Sequence, residues 1–234
     1  YISSANVACV FHASDPLVMA ATVASAKENG VAVGAHPGYP DLVGFGRRNM
    51  NVTDRELKAM VQYQVGALQA FCAAAGVKMQ HVKPHGAMYN MAGKNLHMAE
   101  AICEGIYEVD PSLLLLGQPG SQMDLAAKKI GLTFAREVVA DRAYEEDGAL
   151  VPRGMEGAVI TDEALAIERV ISIVKDHKVK AITGKEIELE ADSICVHGDN
   201  AKALEFVRKI REALRKEGID IASIADVMAA RGQL

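Results

Sequence analysis

The sequence predicts an α/β fold, a TIM-like (β/α) barrel built as a single domain over residues 1–234, and three observations predict it. Short apolar runs alternate with longer amphipathic stretches along the chain, the pattern of a parallel sheet with outer helices. The runs are continuously apolar, as strands buried on both faces are. Titratable residues gather where the runs stop, and in such folds the carboxyl ends of the strands carry the site. That set comprises His12, His36, Lys83, His85, Glu137, Asp141, Arg142, His197 and Asp199. A closed barrel brings so many strand ends to one rim, whereas an open sheet spreads them along an edge.

Taken in order, Ile2 to Phe11 reads as a strand that ends at His12. Asp15 before Pro16 is an N-cap with proline at the first helical position, so a helix should run to about Asn29 and close at Gly30. Val31 to Ala35 is the next strand and ends at His36-Pro37-Gly38. Gly44-Phe45-Gly46-Arg47-Arg48 forms a glycine-rich basic loop that lacks the dinucleotide fingerprint; it is expected to be mobile and to touch an anion. Thr53-Asp54-Arg55-Glu56 is a capping box opening a long amphipathic helix that ends near Gly76.

The central stretch is His81-Val82-Lys83-Pro84-His85-Gly86, a strand end where proline and glycine force a turn and two imidazoles meet an ammonium. His81 alone is best read as capping a backbone carbonyl. Lys83 and His85 together point to chemistry, because the same strand–histidine–turn pattern recurs elsewhere. Met88 to Asp110 is mostly helical with Asn95 as a cap, Leu113 to Leu116 is a strand, and Gly120-Ser121 starts another helix. Leu132 to Arg136 is a strand whose exit carries Glu137, Asp141, Arg142 and Tyr144. A helix over Asp162 to His177, a strand over Val179 to Ile182 and a half-exposed strand over Ile187 to Leu189 follow. Ser193 to Val196 is the last full strand, ending at His197-Gly198-Asp199; a helix over Ala201 to Glu217, a short strand from Ile219 and a small helix close the chain.

Composition narrows the classes of function. The chain of 234 residues is half hydrophobic, with a net charge of −5 from 25 basic and 30 acidic residues. There is no basic footprint for nucleic acid and no apolar run long enough for a membrane span, which leaves a small-molecule substrate and protein partners. Cys9, Cys72, Cys103 and Cys195 show no Cys-x-x-Cys spacing and read as reduced thiols of a cytoplasmic protein. Tyr1 opens almost directly into a strand, so a preceding segment is expected to be missing.

A rim of this kind suits hydrolysis of an amide or ester. Carboxylates such as Glu137, Asp141 and Asp199 activate water, histidines return a proton to a leaving nitrogen, and Lys83 with Arg142 or Arg153 holds an anion or an oxyanion. No Gly-x-Ser-x-Gly elbow is present. The histidines also suggest a divalent metal such as Mg or Zn, with His12 and His36 as candidate ligands; the bland alternative is that each caps a strand end. Tyr39, Phe45, Tyr89 and Tyr144 are candidates to stack on a substrate ring or to anchor loops.

Phe11-His12, Gly34-Ala35-His36-Pro37, Phe45-Gly46-Arg47, His81-Val82-Lys83-Pro84-His85-Gly86, Glu137-Val138-Val139-Ala140-Asp141-Arg142, Leu150-Val151-Pro152-Arg153 and Cys195-Val196-His197-Gly198-Asp199 together resemble the LamB/YcsF family over nearly the whole chain. The resemblance implies a distorted seven-stranded barrel of the glycoside hydrolase/deacetylase superfamily and ATP-dependent opening of 5-oxo-L-proline to L-glutamate with 5-oxoprolinase subunits B and C. On that basis His85, Glu137, Asp141, His197 and Asp199 are the expected catalytic set, and His12, His36, Arg47, Lys83, Arg142 and Arg153 the expected substrate-binding set; a homo-oligomer is compatible with it. Two departures stand out: the family's opening acidic strand is absent before Tyr1, and Val10 and Ser14 replace glycines. The rival readings are a stand-alone metal-dependent, deacetylase-like hydrolase of an amide or carbohydrate, and a non-catalytic lactam- or sugar-binding module.

Overall fold

The computed structural model describes residues 1–198 and 202–234, so Asp199 lies outside the described residues. Six strands form one parallel sheet: β1 (Ser4–Ala8), β2 (Ala32–His36), β3 (Met79–Val82), β4 (Leu114–Gly117), β5 (Phe134–Val139) and β8 (Ser193–Cys195). Each lies beside the next in chain order, which is the strand sequence of a (β/α) barrel with β1 and β8 at its two edges. Among the described residues the parallel sheet has six members where seven are expected.

The helices follow their local signals. Asp15 accepts hydrogen bonds from Leu17 and Val18 and starts α1 (Pro16–Glu28). Thr53 and Glu56 make both halves of the capping box of α2 (Asp54–Ala75), and Gly76 closes it in the left-handed conformation. After the short α3 (Gly86–Ala92), Asn95 caps α4 (Leu96–Val109). The outer layer continues with α5 (Gln122–Ile130) and α6 (Glu163–Asp176). The interior between helices and sheet is filled by Val33, Val61, Val65, Leu68, Val82, Met88, Ile102, Ile106, Leu115 and their neighbours.

Several boundaries differ from expectation. The first strand stops at Ala8, because Val10 (φ 75°) and Ser14 (φ 78°) take the left-handed conformation and turn the chain toward His12. β5 runs on through Val138 and Val139, so Glu137 points from within the strand and not from its exit. The strand expected over Val179 to Ile182 is β6 (Lys178–Lys180), and it pairs antiparallel with β7 (Glu186–Glu188) outside the parallel sheet; one buried valine between two lysines fits a half-exposed ladder, not a barrel interior. The chain closes with α7 (Ala203–Lys216) and α8 (Ile224–Ala230), and the stretch from Ile219 to α8 forms no strand. Among the described residues no helix is long and apolar enough to cross a membrane.

Candidate active site

A cavity of about 950 Å³ opens at the strand ends and runs between the two sheet edges. Its walls include His12, His36, Lys83, His85, Glu137 and His197, so one space receives side chains from four strand exits and from within β5. The parallel register makes this convergence. Lys83 N–H donates to Ala35 O at 2.8 Å and His85 N–H to Pro37 O at 2.7 Å, which sets the exit of β3 beside that of β2.

Lys83 and Glu137 form a buried ion pair at 2.5 Å, and Lys83 Nζ also lies 3.0 Å from Cys195 Sγ. Burial works against the ammonium, but neighbouring negative charge outweighs it and holds the Lys83 pKa above its ordinary value. Burial pushes the Cys195 thiol up to about 11, so near neutral pH it is a neutral thiol and Glu137 supplies that charge. Tyr89 lies with its ring 5.7 Å beneath the ammonium.

His36 and His85 face each other, with His36 Nε2 2.9 Å from His85 Nδ1. The opposite nitrogens are occupied: His36 Nδ1–H donates to Lys83 O at 2.6 Å and His85 Nε2–H to Phe45 O at 2.7 Å. His12 stacks on His85, ring centroids 3.8 Å apart and planes within 6°. Burial, reinforced by the neighbouring cations and by the other imidazoles, lowers all three pKa values: to about 3 for His12, to about 4 for His85 and well below 6.5 for His36. These imidazoles are therefore neutral near pH 7.

His197 lines the same cavity, and its Nδ1 lies 3.0 Å from Asp141 Oδ1 behind it. Burial raises the Asp141 pKa, but the hydrogen bond and charge of His197, with Arg153, outweigh it and hold the carboxyl below its usual range. A carboxylate on Nδ1 holds the hydrogen of His197 there, so that the neutral form of the ring presents Nε2 as its proton-accepting nitrogen.

Other predicted residues have different positions. Arg142 lines the cavity, but its Nε donates to Ala158 O at 3.2 Å and a terminal nitrogen to Val151 O, so it holds the following loop together and is not a free substrate clamp. Arg47 and Arg153 are exposed on the cavity wall, and Arg47 lies over the Phe45 ring at 5.0 Å. The glycine-rich loop expected to be mobile is tied down: Asp41 grips the Arg48 guanidinium and the Gly44 amide, and Gly46 O accepts from Ala87 N–H at 2.9 Å. Tyr39 and Tyr144 are buried in the core and cannot stack on a substrate; the Tyr144 hydroxyl oxygen accepts from the Val139 amide. Phe45 and Tyr89 remain on the cavity wall.

His81 is structural, although not through a backbone carbonyl. Fully buried, with its pKa lowered to about 3 by burial and then by Lys83, it donates from Nε2 to Asn6 Oδ1 at 2.9 Å. Its ring covers Gly34, where an added Cβ would lie 2.0 Å from His81 Nε2. Sequence reasoning missed Asn6, Tyr89 as the partner of Lys83, and the Lys83–Cys195 contact. Asn6 shares one side of β1 with Ser4 and Ala8, and the period of two together with an amide in an apolar strand is a readable signal.

Known proteins share this sequence and this architecture. The A subunit of 5-oxoprolinase from Clostridium beijerinckii is 69% identical over 221 residues, covering 94% of this chain and 87% of that protein. That of Pyrococcus abyssi is 54% identical over 226 residues, covering 97% and 89%. A crystal structure of a lactam utilization protein from Thermus thermophilus superposes with a TM-score of 0.89 at 44% identity, over 94% of this chain and 88% of that one. With residues 1–229 matching the LamB/YcsF family throughout, the chain belongs to that family.

Proposed function

We propose that this protein is the A component of an ATP-dependent 5-oxoprolinase of the cytoplasm, opening 5-oxo-L-proline to L-glutamate together with partner subunits B and C. The observation that carries the reading is the convergence of the Lys83–Glu137 pair, the histidine cluster and His197, backed by Asp141, on one cavity, in a chain 69% identical to a protein of that name.

The chemistry needs what these residues supply. Amide resonance protects the lactam carbonyl from water, and transfer of a phosphoryl group from ATP to its oxygen makes the carbon electrophilic. Arg47 and Arg153 at the mouth balance the substrate carboxylate, and the Lys83 ammonium, already paired with Glu137, donates to the oxygen on which charge develops. His197, oriented by Asp141, takes a proton from the attacking water. The C–N bond then breaks, the nitrogen leaving with a proton as the amino group, and the γ-glutamyl phosphate that results is hydrolysed by a second water to L-glutamate and inorganic phosphate. The rim histidines also offer a seat for a divalent cation such as Mg²⁺ or Zn²⁺, which supplies Lewis acidity when bound. That cluster favours a second reading, a metal-dependent amide hydrolase that needs no ATP.

Glutamate release from 5-oxo-L-proline, measured with and without ATP and with and without candidate B and C subunits, separates the readings. Product only in the complete mixture is the expected result; product from this chain and a metal alone supports the second reading, and no product under any condition overturns both.

A further inference from the structure

We propose that His12, His36 and His85 bind one divalent ion of the zinc class, in preference to Mg²⁺. One ring nitrogen of each lies within 4.8 Å of the corresponding nitrogens of the other two. Two of those nitrogens have no partner except each other. Carbonyl oxygens only accept, so His36 carries its hydrogen on Nδ1, toward Lys83 O, and His85 carries its hydrogen on Nε2, toward Phe45 O. The remaining nitrogens, His36 Nε2 and His85 Nδ1, then present two lone pairs to each other at 2.9 Å.

Two facing lone pairs at that distance repel unless something positive lies between them. A bridging proton satisfies them only by making a buried imidazolium. A metal ion satisfies both at once. Two ligands about 2.0–2.1 Å from one ion, at octahedral to tetrahedral angles, stand about 2.9–3.4 Å apart. The carbonyls on the far nitrogens are the outer partners that orient metal-binding histidines.

The third ligand is close by. His12 is 2% exposed, its Nδ1 has no hydrogen-bond partner and its ring stacks on His85, so its ligation requires the ring to turn out of that stack when the ion binds. The backbone is shaped around these rings: a Cβ at Gly46 would lie 2.8 Å from both His12 and His85, and one at Gly38 would lie 2.7 Å from His12 Nδ1. An all-imidazole set suits Zn²⁺, Co²⁺ or Ni²⁺, whereas Mg²⁺ takes oxygen ligands. Lys83, whose charge reaches His36 and His85, is itself paired with Glu137, which lessens the opposition to a cation.

The purified protein, stripped with a chelator and dialysed against Zn²⁺, is expected to retain one zinc per chain in the presence of excess Mg²⁺. His36→Ala and His85→Ala should each weaken that binding at least about tenfold, whereas His97→Ala, exposed on α4, should not. In case the substitutions disturb folding, the imidazole nitrogen resonances of the unsubstituted protein give an independent readout: zinc should shift those of His12, His36 and His85. No retained zinc, or unshifted resonances with a proton bridging His36 and His85, overturns the proposal. The site lies in the cavity assigned to lactam opening, but it follows from imidazole geometry alone. Zinc binding without glutamate formation would contradict only the function, and glutamate formation without zinc binding only the metal.

Discussion

Glu137 holds the Lys83 ammonium at 2.5 Å in the wall of the cavity, with the carboxylate 1% and the lysine side chain 8% exposed. The pair fixes the position of the ammonium before substrate arrives, as a hydrogen-bond donor whose charge is balanced by Glu137. It also makes each partner depend on the other. Lys83→Met leaves a buried carboxylate alone and should cost about 3–5 kcal/mol; adding Glu137→Gln should recover most of that loss. Urea unfolding of the two variants checks this, and additive losses would contradict a buried pair.

The His81 ring occupies the space above Gly34, so that glycine is required for a reason unrelated to turns. Gly34→Ala should destabilise by at least about 3 kcal/mol, because the ring must leave its place between β2 and Asn6. Removing the ring relieves the overlap, so His81→Ala should cost less in the Gly34→Ala background than in the wild type. Equal costs in a double-mutant cycle would show that the two positions do not meet.

Ser14 adopts φ 78° without being glycine. Ser14→Gly should raise stability by about 1 kcal/mol, measured by denaturant unfolding. A loss of stability would mean that the serine side chain contributes more than its backbone conformation costs.

The Arg48 guanidinium, hydrogen bonded to Asp41, lowers that carboxyl from an ordinary 3.8 to about 2. A folded-state pKa below the unfolded one contributes stability that is fully present above about pH 4 and is lost as pH falls toward about 2. The melting temperature should fall over that window, and Asp41→Asn should flatten the fall. An unchanged slope in the variant would assign acid sensitivity to other carboxylates.

The barrel order was legible because the strands are short, mostly apolar runs and several helices begin with a capping side chain, Asp15, Thr53 and Asn95 among them. The rim was legible because His36, Lys83, His85 and His197 stand where such runs end. Pairings within the rim were not, since Lys83 meets Cys195 across 112 positions and His197 meets Asp141 across 56. Arg142 misled for a related reason: a cation at a strand exit reads as a substrate clamp until the loop that supplies Ala158 and Val151 carbonyls is folded over it. The left-handed backbone at Val10 and Ser14 was visible only as a departure from the glycines of the resembled family.

The most direct test uses the Asp141–His197 dyad. With the candidate B and C subunits, ATP and 5-oxo-L-proline present, the proposed function predicts that His197→Ala reduces kcat for glutamate by about 10²–10⁴ with little change in KM and no loss of assembly. Asp141→Asn should lower kcat in the same direction by loosening the imidazole. Glutamate formed by both variants at the wild-type rate would contradict the assignment of ring opening to this rim.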